Sequence, residues 1–190
     1  MTSPLVVDRP QNLAFRRRAG ALDERLPPGP DSLRRAAWAG LQDSMPRAAV
    51  LSIHARVEGA EPLAWEHESY VQLWGPRYQL YVVARRDLAV FSLGRLPDDV
   101  KGRRRAQDAA ERLAPHMGGA ALGYGEVSRA LGVHHNSLRY GATTGTIVIR
   151  WDGARQPAIS VVPPPQVDPV DARLELVRRY LHVLDRKSVV

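Results

Sequence analysis

Six neighbouring side chains, His134, His135, Asn136, Ser137, Arg139 and Tyr140, carry groups that can reach a base edge or a phosphate. Asn pairs with adenine, Arg with guanine or phosphate, and Ser and Tyr with phosphate. They fall in the stretch GEVSRALGVHHNSLRYGA, residues 125–142, whose spacing fits a helix-turn-helix. Val127 and Leu131 pack inward from a first helix, and Ser128 is the small residue where the helices cross. Gly132 takes a left-handed turn and Val133 plugs the corner. Leu138, with Gly141 or Ala142, anchors the second helix and leaves the six polar residues outward. The alternative is a helical corner that packs only against protein.

Two further groups of basic residues bear on the same chemistry. TTGTIVIRWDGARQPAISVV alternates at period two, with Ile147, Ile149 and Trp151 on one face and Thr146, Val148 and Arg150 on the other. Asp152-Gly153 turns the chain and Ala158 to Val162 returns it. Arg150 and Arg155 flank that turn, where arginines can lie along a minor groove or a backbone. Arg77 occupies the same place in an earlier hairpin, SYVQLWGPRYQLYVV, built around Gly75-Pro76. A solvated hairpin tip accounts equally well for all three.

The elements that must hold these residues follow one pattern twice. Residues 1–12 read as a loose arm. LAFRRRAGALDERLPPGP then predicts a helix with Phe15, Ala19 and Leu22 on one face, ended by prolines. Asp31 can cap a second helix with the stripe Leu33, Ala36, Ala37, Gly40 and Leu41. Pro46 opens a third, with Val50, Ile53 and Val57 inward. The first hairpin follows, then a short helix from Asp87 to Leu93. A longer helix begins at Asp98, with Ala106, Ala109, Ala110, Leu113 and Met117 buried and Arg103, Arg104, Arg105 and Arg112 in water. Gly118-Gly119 ends it. The helix-turn-helix and second hairpin come next, then a stiff VPPPQVDP linker. A last helix is capped by Asp168 and opened by Pro169. Val170, Leu174, Val177 and Leu181 line one side of it, widened by Leu176, Tyr180, Val183 and Leu184, a face that calls for a partner.

The expected fold is therefore α+β, mainly α, with tandem winged-helix modules. Residues 12–97 form the first, 98–117 a connecting helix, 118–165 the second, and 166–190 a C-terminal helix that starts a third. Trp38, Trp65, Trp74 and Trp151 are assigned to the core.

Composition sets the partner class. The chain has 190 residues, a net charge of +7, a pI of about 10.3, and 44% hydrophobic and 25% charged residues. That balance suits a polyanion. Among the 27 basic residues only Lys101 and Lys187 are lysine; the rest are arginine, a fork of donors suited to phosphate and guanine. Codon bias of a GC-rich genome explains much of that number, so position has to carry the argument. There is no cysteine, which excludes disulfides, thiolate nucleophiles and Cys-based zinc sites. No apolar stretch nears the roughly 18 residues of a membrane span, and no signal peptide is evident. A cytoplasmic, nucleoid-associated protein is expected.

GLQDSMPRAAVLSIHARVEG, YVQLWGPRYQLYVVARRD, YGEVSRALGVHHNSLRYGATTGTIVIRWDGARQP and ARLELVRRYLHVL together resemble the bacterial winged helix DNA-binding domain family. That family is related to DNA glycosylases that unhook interstrand crosslinks and remove bulky alkyl adducts. The resemblance runs from about residue 12 to 185 and is most specific across 40–57 and 124–157. It implies winged helices curved around a duplex, and a longer protein with a third module. The closing RKSVV departs from the family, as a truncated or frameshifted gene would. Active relatives carry Gln-x-Gln or Gln-x-Asp just before a helix, placing water at the glycosidic carbon. The matching positions here are Gln42, Asp43 and Ser44. Gln42 fits, Ser44 takes the second functional position, and Asp43 is shifted by one. A hydroxyl is a poor base at neutral pH. Asp43 and Ser44 also lie where the third helix needs a cap.

Other chemistry has no motif. His134 and His135 are neighbours that a helix would point apart, and His54, His67, His116 and His182 are scattered, so neither a metal nor a cofactor is expected. No phosphate-binding G-x-x-x-x-G-K-[ST] and no G-x-S-x-G occur. Three readings remain: a duplex-DNA-binding protein using the 135–142 helix and the arginine wing, a glycosylase using Gln42 and Asp43, or a non-catalytic fragment that binds protein and self-associates through its last helix.

Overall fold

The computed structural model describes residues 6–45, 47–153 and 156–184. Pro46, Arg155 and the terminal RKSVV lie outside the described residues, as does the side chain of Leu184. The fold is a mixed one in which helices pack against a single antiparallel sheet.

Helix α1 (Arg9–Ala19) begins inside the expected arm. Asp8 accepts from the Gln11 amide at 2.7 Å, and the Gln11 side chain accepts from the Asp8 amide at 2.9 Å. This reciprocal cap, followed by Pro10 in the first turn, orders the segment. Of the expected stripe only Ala19 is buried. Phe15 stays 52% exposed and meets the His182 ring edge-on at 5.4 Å. In α2 (Pro30–Ala36) the cap position belongs to Gly29, and Asp31 pairs with Arg34 in the first turn instead. β1 (Leu41–Gln42), α3 (Ala48–His54), β2 (Tyr70–Trp74) and β3 (Leu80–Ala84) complete the first half. Leu33, Ala37, Leu41, Ile53, Val57, Trp65 and Tyr70 pack as its core.

α4 (Leu88–Ser92) leads to α5 (Val100–Met117), capped by Asp99 through a 2.7 Å bond from the Gly102 amide. Asp98, the expected start of this helix, stands before it and pairs with Arg173 of the last helix. β4 (Leu122–Gly123), α6 (Tyr124–Ala130), α7 (His135–Gly141), β5 (Ile147–Arg150) and β6 (Ala158–Val161) form the second half. Ala106, Leu113 and Met117 of α5 are buried, as are Val127, Leu138 and Ala142. Gly132 turns with φ +60°, and Ser128 donates to the Val133 carbonyl at 2.7 Å, closing the corner between α6 and α7. Trp65 and Trp74 are buried, whereas Trp38 and Trp151 are half-buried.

The two hairpins join edge to edge. The strand order is β1-β3-β2-β5-β6-β4, with β2 and β5 meeting at Gln72 and Ile149. Val148 is buried along with Ile147 and Ile149, so β5 has little solvent face before Arg150. Gln72 secures the junction: its carboxamide accepts from the Trp151 amide at 2.6 Å and donates to Asp43 at 3.0 Å. A buried amide with its valences filled at a strand junction fixes register where apolar residues alone would allow slippage.

α8 (Pro169–Leu184) closes the fold, capped by Asp168, which accepts from Val170 at 2.7 Å. Ala172 and Leu176 are buried, and Arg179 is inserted with them. Arg179 donates to both Asp87 oxygens, at 2.8 and 2.9 Å, and to the Trp38 carbonyl at 2.9 Å. A buried guanidinium is tolerated only when its donors are matched in this way. The stripe Val170, Leu174, Val177 and Leu181 faces outward instead, with Leu174 64% exposed. No helix among the described residues is long and apolar enough to cross a membrane.

Candidate nucleic-acid interface

A cleft of about 580 Å³ opens where the tip of the β2–β3 hairpin approaches α6 and α7. Ser44, Gln79, Tyr124, His135, Arg139 and Trp151 are among the side chains that line it.

The first wall comes from β-sheet register. β1 pairs antiparallel with β3, placing Gln42 opposite Tyr81, and the Asp43 amide continues the ladder to the Leu80 carbonyl at 2.7 Å. Carried on, that register sets Ser44 opposite Gln79. Ser44, two residues beyond Gln42 on the extended chain that continues β1, returns to the same side. The Gln42 side-chain Nε2 donates to the Ser44 hydroxyl at 3.0 Å, and the hydroxyl donates to the Gln79 side-chain Oε1 at 2.8 Å. The turn between the strands presents Gln79 through two residues of positive φ, Arg77 at +56° and Tyr78 at +55°. Backbone in that region is unfavourable for residues with a Cβ, and it tends to persist where surrounding contacts fix it. Here Tyr78 meets Tyr140 of α7 edge-on at 5.5 Å, with the Arg95 guanidinium 5.5 Å from its ring. Arg77 is exposed at the same tip.

The second wall is α6 and α7. Tyr124 donates to the His135 carbonyl at 2.8 Å and accepts from Arg139 Nε at 3.0 Å. Burial pushes the Tyr124 phenol above its ordinary range, while the Arg139 contact pulls it back. The Arg139 guanidinium is thereby held over Tyr124 and Trp74, at 5.8 and 6.0 Å from their rings. His135 and Asn136 are exposed; Ser137, Arg139 and Tyr140 are half-buried. His134 caps α7 by accepting from the Asn136 amide at 3.2 Å. Because it stands before the helix, its ring reaches His135, with centroids 4.1 Å apart, rather than diverging from it. No cluster of three or more His, Asp or Glu side chains that could hold a metal occurs among the described residues.

Several residues singled out from the sequence lie outside the cleft lining: Gln42 lines a separate depression with Trp38 and Tyr81, Ser137 and Tyr140 face α5, Arg77 and Asn136 are exposed, and Asp43 and Arg150 are engaged elsewhere. Asp43 is fully buried. It accepts from the Ala49 amide at 3.1 Å and from Gln72 at 3.0 Å, so it caps α3 and ties that helix to the sheet. Burial raises its carboxyl above the usual range, against the pull of the Ala49 amide, Arg47 and Gln72. Arg150 is exposed but turns to Glu66, 2.8 Å away, beside the Trp65 ring. Its neighbour Trp151 lines the cleft. Gln79, Tyr124 and Gln156 line the cleft without having been singled out; only strand register and helix packing bring them there.

Among the described residues the cleft lining contains no carboxylate. Its Ser44 hydroxyl and Gln79 carboxamide can orient a water molecule but cannot take its proton at neutral pH. Arg139, His135 and Tyr124 can hold an anion or stack on a planar group.

No protein-family model matches the chain, and no curated protein matches it in sequence. Among solved structures the fold is similar to that of Streptomyces sahachiroi DNA glycosylase AlkZ, with a TM-score of 0.72 at 15% identity. The match covers 95% of this chain and 58% of that one, a likeness of fold across most of this chain and a little over half of the other.

Proposed function

We propose that the chain binds duplex DNA through two winged-helix units, with α7 as the recognition helix and the cleft facing the duplex. One observation carries the reading. His135 and Arg139 of α7 and Tyr78 and Gln79 of the hairpin tip converge on one cleft, in a fold similar to that of a DNA glycosylase. Arg139 is positioned by Tyr124, and Asn136 is free of the core to meet a base edge. The net charge of +7 makes phosphate contacts the main source of affinity. Binding of a fluorescent duplex, followed by anisotropy against salt, tests this. Affinity should fall steeply as salt rises; no binding at low salt overturns it.

A second reading, N-glycosylase activity on alkylated bases, is favoured by Ser44 and Gln79 in the cleft wall, with Gln42 bonded to Ser44 from behind it. In that reaction water attacks the sugar C1′, the C1′–N bond breaks, and its electron pair leaves with the base. An alkylated purine carries positive charge on its ring, so it leaves neutral and needs little push from a base. The proton of the attacking water passes to solvent. Ser44 and Gln79 would orient the water, with Gln42 orienting Ser44, which suits a site without a carboxylate. Asp43 has a structural part in this scheme. Release of alkylated base from methylated or mustard-treated DNA tests it, and equal release by Gln42→Ala and wild type removes this line from the chemistry.

A further inference from the structure

A second depression, of about 610 Å³, lies on the other side of α7, between that helix and α5. Its rim on α5 carries Lys101, Arg104, Arg105 and Arg112; Ser137 and Tyr140 of α7 face them. Arg104 and Arg105 stand three and four residues after Lys101, and Arg112 seven after Arg105, so the four cations share one side of the helix. From Lys101 to Arg112 they run about 16 Å at about 1.5 Å per residue. Arg105 lies over the Tyr140 ring, 4.8 Å from its centre, and Arg112 is fixed by a 2.7 Å bond to the Leu131 carbonyl. Asp108 is the only acid on the lining, 3.9 Å from Arg104 and half open to water, so it offsets little of this charge.

α7 therefore separates two depressions, one touching His135 and Arg139 and the other, with a more apolar floor, Ser137 and Tyr140. A helix seated in a major groove, which is about 12 Å wide, has a phosphate backbone on each flank. We propose that the α5–α7 groove holds the phosphates of one DNA strand while α7 occupies the major groove. Guanidinium forks on one side and two hydroxyls on the other match phosphate oxygens. Continuity with α7 favours nucleic acid over an acidic peptide as the occupant. The inference rests on the DNA-binding reading.

The experiment uses the full chain and a 20-base-pair duplex, with affinity measured across a salt series. Arg104→Ala/Arg105→Ala should bind about tenfold more weakly, equally for unrelated sequences, and Lys101→Ala should lower the salt slope by about one. Asp108→Asn should bind about twofold more tightly, a gain that misfolding does not produce. Arg86→Ala, an exposed arginine outside the groove, should have the smaller effect. Slopes unchanged in the groove variants while the wild type binds overturn the groove assignment alone. A wild type that does not bind overturns the DNA reading with it. Polyglutamate binding that the double variant loses, with DNA binding intact, gives the groove to an acidic protein instead.

Discussion

The Ser44 hydroxyl donates to the side-chain Oε1 of Gln79 at 2.8 Å across 35 residues of chain. Gln42 completes the line from the other side, at 3.0 Å. A hydroxyl held between a donor and an acceptor has its orientation fixed, which is what a group that places water must have.

Gln79→Ala removes the acceptor without touching the buried sheet, since Gln79 is exposed. If the line serves hydrolysis, single-turnover base release should slow by about 10- to 100-fold, and duplex affinity should stay within about twofold. Ser44→Ala should match it, and the double variant should be no slower than either single one, because the two act as a unit. Additive losses would show that they act separately.

Asp43→Ala should lower stability by about 2–3 kcal/mol, combining a lost helix cap with a buried Gln72 donor left poorly matched. For a chain of this size that is about 5–10 °C in thermal midpoint. Circular dichroism melting checks it. A shift of less than about 2 °C would mean that the cap at Ala49 is filled by another group.

Local features were legible in the sequence and distant ones were not. The α6–α7 corner follows from Val127, Gly132 and Leu138, all within one short window, and the structure places each as the spacing requires. Asp168 and Pro169 likewise announce α8. The Asp8–Gln11 cap is equally local, yet it falls inside residues 1–12, which read as a loose arm. Ser44 against Gln79, and Gln72 between Asp43 and Trp151, depend on how separate strands align. A glutamine's type does not reveal its partner, and strand alignment is settled by the packing of the whole sheet. Arg150 shows the reverse: its type suggested an anion, and the nearest one is Glu66 of the same chain.

Arg139 and Arg150 should therefore differ on DNA. Arg139→Ala removes a guanidinium held in the cleft and should reduce the salt slope by about one, with a clear loss of affinity. Arg150→Ala should do less, because Glu66 already balances that charge. Glu66→Gln should strengthen binding, and the gain should vanish in Glu66→Gln/Arg150→Ala. A gain that survives the double change would assign it to general charge.

Acid should act first on the last helix. Glu175 accepts from Arg178 at 2.7 and 2.8 Å and from Arg179 at 2.7 Å. The Arg178 bonds above all, with Arg179 helping against burial, hold its carboxyl at about 2, from an ordinary value of 4.5. A carboxylate depressed on folding binds fewer protons in the native state, so it stabilises fully above pH 4.5. That contribution is lost as the pH falls from 4.5 through about 2. Glu175→Gln should therefore be less stable than the wild type by a constant amount above pH 5, and the two should converge as the pH is lowered toward 2. Arg179 keeps Asp87 in both proteins, at 2.8 and 2.9 Å, so the helix remains docked and the comparison isolates one carboxyl. Urea unfolding from pH 2 to 7 measures the gap; a gap that stays constant across that range would show that Glu175 is not ion-paired in solution.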